Sequence, residues 1–182
     1  LYISGIHYPG ATKLASARLL LALLVFIATF LIPSVMVWMM KSTGFVSSFQ
    51  MPQRRERTLP FLLTAILYYV AYQYFGRYNL PAEYSLLLLG ATAMILVAMF
   101  INLKWKISIH MMGIGGAIGV LHGMAVYFPH SFLVPVAVGF ALAGLLGTAR
   151  LTSGSHRPAE VYVGFLVGYF LFLVLFSSVL SR

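Results

Sequence analysis

Long apolar runs separated by short polar connections dominate the chain. Six of these runs hold the roughly 20 apolar residues that a helix needs to cross the hydrocarbon core of a bilayer. They lie near residues 17–40, 59–76, 84–102, 108–128, 131–149 and 159–180. The pattern predicts an all-α fold: a polytopic membrane bundle of about six transmembrane helices, forming a single integral-membrane domain over residues 1–182.

Composition agrees with a membrane location. Hydrophobic residues make up 61% of the chain, and the mean hydropathy is +0.94, well above the usage of soluble domains. The opening LYISGIHYPG has no initiator Met and lacks the charged-then-apolar pattern of a signal peptide. We therefore expect an integral membrane protein whose N-terminus is trimmed.

The chain is strongly basic. Its formal net charge is +9, from 12 Lys and Arg residues against three acids, Glu56, Glu83 and Glu160. Asp-rich prenyltransferases and two-metal phosphatases need several carboxylates close together, which this chain does not easily supply. We expect no cofactor and no metal, and a chemistry that acts on an anionic substrate.

Basic residues also concentrate on one side of the predicted bundle. Of the 12 Lys and Arg residues, eight fall in or beside the first, third and fifth connections between helices. This excess would ordinarily place that side in the cytoplasm, but five of the eight are candidate substrate ligands, so sidedness stays undetermined. Each of these connections leads into a helix N-terminus, where free N–H groups favour anions. Together they predict a phosphate-binding cradle at one membrane face.

The stretch GTARLTSGSHRPAEVYVG, residues 147–164, gathers the strongest candidates for chemistry. His156 and Glu160 are four residues apart at the start of the last predicted helix, with Pro158 suited to its first turn. A carboxylate on one imidazole nitrogen fixes the tautomer and leaves the other nitrogen free as a base or nucleophile. Arg150, upstream, is expected to fold back onto the same site.

Two further stretches start helices on the same side. KWKISIHMMG, residues 104–113, places Ser108 and His110 at a helix start, where a hydroxyl and a second imidazole would meet a phosphate. QRRERTLPF, residues 53–61, adds three guanidinium groups, which bind phosphate oxygens bidentately. These are Arg54, Arg55 and Arg57.

Structural explanations exist for each of these features. Charges near helix ends snorkel to the lipid interface, and an arginine cluster also binds anionic headgroups or sets topology. Lys104 and Lys106, beside Trp105, are typical headgroup anchors. A stripe of small residues in the fourth predicted helix favours close helix packing; it comprises Gly113, Gly116, Gly119 and Gly123.

The spacing Arg150-x5-His156-x3-Glu160 resembles the third signature of the type-2 phosphatidate phosphatase superfamily, Ser-Arg-x5-His-x3-Asp. Ser108-Ile109-His110 is similar to the end of its second signature, Pro-Ser-Gly-His, and the 54–57 cluster is loosely similar to its first, Lys-x6-Arg-Pro. The likeness spans about residues 50–170 and is to a divergent bacterial membrane branch. Glu160 stands in place of Asp, and the Lys of the first signature has no counterpart.

The resemblance implies a division of labour. His156 would take the phosphoryl group as phosphohistidine, Glu160 would orient it, and His110 would protonate the leaving lipid oxygen. The phosphoryl oxygens would be bound by Arg150, Ser108, Arg57, Arg54 and Arg55. No metal is implied.

The function expected from this likeness is metal-independent hydrolysis of a lipid phosphomonoester or diphosphate. Candidate substrates are phosphatidic acid, phosphatidylglycerol phosphate, an isoprenyl diphosphate and lipid A phosphate. Expected partners are this lipid phosphate and membrane lipids, with no nucleic acid, in a bacterial inner membrane; oligomeric state is left open. The alternative is a non-catalytic protein that binds or transports anionic lipid with the same cradle.

Overall fold

A computed structural model describes residues 11–49, 51, 53–77 and 82–180. Helices account for nearly all of these residues, and no strand occurs among them, so the prediction of an all-α membrane protein is confirmed. The expectation of a trimmed N-terminus concerns residues 1–10, which lie outside the described residues. The pattern of residue contacts divides the chain into two compact units, with the boundary between residues 49 and 50. The single integral-membrane domain stays a prediction.

Among residues 11–49, the described part of the first unit, lies one continuous helical run with a widened turn. Helix α1 spans Ala11–Phe26, a π-helical turn spans Ile27–Leu31, and α2 spans Ile32–Ser42. Pro33 occupies the first turn of α2, where its ring and missing N–H disfavour ordinary α-helical bonding to the preceding turn. A π turn relieves this conflict without breaking the run. The run therefore stays long enough to cross a membrane.

The described residues of the second unit form five helices joined by short connections. Their bounds are α3 Arg54–Arg77, α4 Ala82–Lys104, α5 Ile109–Ala125, α6 Pro129–Thr152 and α7 Pro158–Leu180. Proline begins both α6 and α7, where its fixed φ suits the first helical position. Within this unit α3 packs on α4, while α5 packs on both α6 and α7.

Five helical segments of the described chain are long and apolar enough to cross a membrane. They are Leu19–Ser42, Arg54–Arg77, Tyr84–Lys104, Pro129–Thr152 and Pro158–Ser178. Helix α5 is also apolar but has 17 residues, shorter than the roughly 20 that a perpendicular span needs. The transmembrane character is thus confirmed for five segments, and the count of about six stays a prediction.

Helices α5 and α7 approach so closely that their backbones touch. A β-carbon placed on Gly115 or Gly119 would collide with the carbonyl oxygen of Phe165 or Tyr169, one turn apart on α7. On the α7 side, a β-carbon placed on Gly168 would collide with the backbone of Met112 in α5. The small-residue stripe thus packs as expected, except that Gly113 has no described neighbour within 4 Å of such a β-carbon.

Cross-links between connections gather one end of the second unit. The guanidinium of Arg54 donates to the carbonyl oxygen of Lys104, and the Asn102 amide donates to the Arg54 carbonyl oxygen at 2.9 Å. The Lys106 ammonium donates to the Ser155 carbonyl oxygen at 2.9 Å. The start of α3 is therefore tied to the end of α4, and the α4–α5 connection is tied to the α6–α7 connection.

Candidate active site

The histidine–carboxylate pair lies where α7 begins, with His156 two residues before the helix and Glu160 in its first turn. Gly154, at φ +63°, makes the left-handed turn after α6 that glycine adopts without strain, and the chain then reaches His156. The Nδ1 atom of His156 lies 2.8 Å from Oε2 of Glu160, as the four-residue spacing predicts. The backbone N–H of Arg157 donates to the same oxygen at 3.2 Å. Two donors thus fix the carboxylate.

This pair lies away from solvent and lipid. The side chains of His156 and Glu160 are only 7% and 8% exposed. Burial lowers the pKa of His156 and outweighs the hydrogen bond that the imidazole donates to Glu160, which raises this pKa. The positive charges of Lys106 and Arg57 lower the pKa of His156 further. The imidazole is therefore kept neutral at neutral pH, the form that has a nitrogen lone pair.

A backbone hydrogen bond attaches the start of α5 to the start of α7. The N–H of Ser108 donates to the carbonyl oxygen of Glu160 at 3.2 Å, and the Ser108 carbonyl oxygen accepts from Met112 at 3.0 Å. Gly164 allows this approach, because a β-carbon there would lie 2.8 Å from the Ser108 carbonyl oxygen. His110, two residues after Ser108, is thereby positioned next to the α7 site.

Charge interactions define which other side chains share the site. The electrostatic environment of His110 includes Arg150, His156 and Arg57. That of His156 includes Glu160, Arg57 and Lys106. Coulomb interactions of this kind weaken with distance and with water, so these groups form one local cluster. The structure thus brings together both predicted histidines, the carboxylate and two of the four predicted arginines.

Arg57 is the buried cation of this cluster. It is 6% exposed, and its Nε donates to the carbonyl oxygen of Met51 at 2.9 Å. Met51 has φ +43°, in the left-handed region that a non-glycine residue rarely adopts. This backbone conformation directs a carbonyl oxygen at the guanidinium and so fixes the side chain beside Glu160, whose charge acts on Arg57.

The hydroxyl of Ser108 is buried without a partner. Ser108 is fully buried, and its Oγ has no hydrogen-bond partner among the described residues. Ser108 is the N-cap of α5, yet its side chain does not bond the first turn as N-cap serines commonly do. A buried polar group without a partner costs about 1–3 kcal/mol. An acceptor atom bound beside Ser108 would satisfy this hydroxyl.

Arg54 and Arg55 are placed differently from Arg57. Both are exposed, and the Arg54 guanidinium binds the carbonyl oxygen of Lys104 rather than the histidine cluster. A phosphate-binding role for these two residues stays a prediction. Lys106 was instead missed as a site residue, since the interfacial setting of Lys104, Trp105 and Lys106 is also typical of headgroup anchors.

The side chains of the cluster can be compared with the ligands that a metal site needs. Within residues 11–49, 51, 53–77 and 82–180, no three His, Asp or Glu side chains come together as a metal site would need. The groups present are two imidazoles, one carboxylate, several cations and a hydroxyl. Such a set suits proton transfer, nucleophilic attack by imidazole and binding of an anion.

Comparison with known proteins adds no relative. No protein-family model, no curated protein and no solved structure matches the chain. The likeness to the type-2 phosphatidate phosphatase superfamily therefore rests on the three short signatures alone. Any conclusion about function therefore depends on the arrangement of the side chains in the cluster.

Proposed function

We propose that this protein is an integral membrane lipid-phosphate phosphatase that works through a phosphohistidine. The observation that carries the proposal is the buried His156–Glu160 pair, with Nδ1 of the imidazole 2.8 Å from the carboxylate. When Nδ1–H donates to this carboxylate, the lone pair is left on Nε2. That atom is then a nucleophile held in one orientation.

In the first step, Nε2 of His156 attacks phosphorus and the bond from phosphorus to the lipid oxygen breaks. Burial and the charges of Arg150 and Arg57 disfavour the protonated form of His110 in the free protein, and the negative charge of the bound phosphate favours it. In this form His110 gives its proton to the leaving oxygen. In the second step, water attacks the phosphohistidine, the P–N bond breaks and His110 takes a proton from the water. The products are inorganic phosphate and the free lipid alcohol, or a lipid monophosphate if the substrate is a diphosphate.

The cations of the cluster suit the charge of the transferred group. Arg57 and Arg150 carry guanidinium groups that bind phosphoryl oxygens, and Lys106 adds a third positive charge acting on His156. The buried hydroxyl of Ser108, which has no partner among the described residues, is a donor that a phosphoryl oxygen would satisfy. These features support an anionic tetrahedral substrate at the face where α3, α5 and α7 begin.

The substrate class follows from the same setting. A site at the end of membrane helices meets headgroups of lipids, so the candidates are phosphatidic acid, phosphatidylglycerol phosphate, an isoprenyl diphosphate and lipid A phosphate. The alternative, an anionic-lipid binding or transport protein, is favoured by one observation: Glu160 has one methylene more than the Asp of the superfamily signature. Misplacement of a catalytic group by about 1 Å lowers rates on the order of 100-fold.

The test is phosphate release by purified protein in detergent from a panel of these lipids, with and without EDTA. Release that resists EDTA and disappears in His156→Ala and in His110→Ala supports the proposal. His130→Ala is the matched control, since His130 is exposed at the start of α6. If no lipid releases phosphate above the His156→Ala background while wild-type protein binds those lipids, the binding function replaces the catalytic one.

A further inference from the structure

A laterally open groove lies between α6 and α7, beside α5. Its volume is about 410 Å³, within the range of roughly 300–1,000 Å³ of small-molecule sites. Helix α6 contributes Phe140, Gly144 and Gly147 to the walls, and α7 contributes Tyr162 and Phe165. Phe140 is 43% exposed and Tyr162 61%, so the groove opens toward the surroundings of the helices. We call this feature the lateral groove.

One end of the lateral groove adjoins the candidate active site. Three lining residues directly follow site residues in the chain: Met111 follows His110, Leu151 follows Arg150, and Val161 follows Glu160. A molecule bound in the groove would therefore have one end beside the histidines and the cationic cluster. This continuity argues for an occupant that is apolar along its length and anionic at one end.

The length of the groove matches one half of a membrane. Its α6 wall runs from Leu151 to Phe140, which is about 16 Å at the helical rise of 1.5 Å per residue. Half of the hydrocarbon core of a bilayer is about 15 Å thick. An apolar chain that starts at the headgroup level and ends near the bilayer centre would fill this distance.

The walls of the lateral groove offer such a chain little to hydrogen-bond. The described lining residues include no charged side chain, and the hydroxyl of Thr148 donates to the carbonyl oxygen of Gly144 within its own helix at 2.9 Å. At the end away from Arg150, the ring centroid of Phe140 lies 5.9 Å from the ring centroids of Phe165 and Tyr169. Phe140 and Phe165 are lining residues, so this ring contact marks the end of the groove away from Arg150.

We infer that the lateral groove holds one apolar chain of the phosphate-bearing lipid, and that Phe140 limits the length of the chain that fits. The inference rests on the proposed function and adds to it a substrate class: a lipid that places a single alkyl, acyl or isoprenyl chain beside the histidines while its phosphate reaches the cationic cluster. Phe140 is then a residue that determines specificity without contacting the reacting atoms.

A glycine in the groove permits a clean perturbation. No described heavy atom lies within 4 Å of a β-carbon built on Gly144, a lining residue of the groove, so a larger side chain there begins in open space. Gly144→Leu therefore fills the space that the lipid chain would occupy. Gly144→Ala controls for the backbone change, and Ala141→Leu adds the same bulk at an exposed position of α6 outside the groove.

The experiment uses full-length protein in lipid nanodiscs and an alkyl phosphonate that carries a diazirine at the end of its chain. Phosphonates are not hydrolysed, so photolabelling reports occupancy whether or not the protein is a phosphatase. We expect label on α6 and α7 residues near Phe140, suppressed by an excess of unlabelled phosphonate. Labelling should fall about tenfold in Gly144→Leu, as overpacking effects of that kind predict, and persist in both controls.

Two results would overturn the inference. The first is label spread evenly over lipid-facing residues, or not displaced by unlabelled phosphonate, which would mean that bulk lipid covers the groove. The second is equal labelling in Gly144→Leu and wild type. The role of Phe140 is read separately with unlabelled phosphonates of graded chain length as competitors: Phe140→Ala should shift the best competitor to a longer chain, and an unchanged ranking refutes it. Absence of phosphate release alongside specific labelling would reject the proposed catalysis alone.

Discussion

The contact between α5 and α7 leads to a sharp prediction at Gly168. A β-carbon built there would lie 2.8 Å from the carbonyl carbon of Met112 and 3.0 Å from the amide nitrogen of Gly116, and closer still to the Met112 carbonyl oxygen. These are backbone atoms, which cannot rotate away as a side chain does. Gly168→Ala therefore forces the two helices apart.

The size of the effect follows from two opposing contributions. Overpacking of a well-packed contact costs about 1–3 kcal/mol, and backbone atoms place this case at the upper end. Replacing glycine by alanine inside a helix returns up to about 1 kcal/mol. We expect Gly168→Ala to lower the free energy of unfolding by about 2 kcal/mol, and Gly144→Ala, which meets no described atom within 4 Å, to leave it unchanged or raise it slightly.

The assay is unfolding in mixed micelles by titration with SDS, with thermal melting as a second measurement. Phosphate release is measured on the same samples, because separating α5 from α7 moves His110 relative to His156 and lowers the rate on the order of 100-fold per ångström. Equal unfolding midpoints for Gly168→Ala and wild type would refute the close helix contact. So would a loss of stability in Gly144→Ala as large as that in Gly168→Ala.

Three further predictions concern the site. Glu160→Gln weakens a charge-assisted hydrogen bond worth about 1.5–3 kcal/mol, so phosphate release should fall about 10- to 100-fold; a change in melting temperature alone would contradict its orienting role. Burial lowers the pKa of His156 below the ordinary histidine value of about 6.5, so the stability that depends on its neutral form is present above that pH and is lost as pH falls below it. Unfolding titrations from neutral to acidic pH should therefore show a smaller loss of stability in His156→Gln than in wild type. Ser108→Ala removes a buried hydroxyl without a partner among the described residues, so it should not lower the free energy of unfolding, yet it should weaken competition by inorganic phosphate in the release assay; destabilisation would indicate a hidden structural bond.

Local patterns in the sequence were sufficient to predict the helices and the contact between His156 and Glu160. Both depend on residues that are close together in the chain, since His156 lies two residues before α7 and Glu160 lies in its first turn. Neither needs knowledge of neighbouring elements. The same reasoning predicted that small residues would allow close packing of the helix now identified as α5. It included Gly113, where a built β-carbon meets no described atom within 4 Å, and omitted Gly115, which touches α7, because spacing alone does not show which glycines face the neighbouring helix.

Contacts between distant segments could not be predicted in this way. The Lys106 ammonium reaches the Ser155 carbonyl oxygen, and the Arg54 guanidinium reaches that of Lys104, across about 50 residues of chain in each case. Nothing in the residue types distinguishes an arginine that binds a carbonyl oxygen from one that faces a substrate. The lateral groove was equally beyond sequence reasoning, since its lining residues come from α5, α6 and α7.

The backbone hydrogen bond between Ser108 and Glu160 also affects how the protein matures. Ser108 immediately precedes α5 and Glu160 lies in the first turn of α7, so the bond cannot form until the whole of α6 and the start of α7 have been synthesised. His110 and His156 are likewise separated in the chain by α6. The candidate site is therefore assembled late in synthesis, when the start of α7 reaches the start of α5.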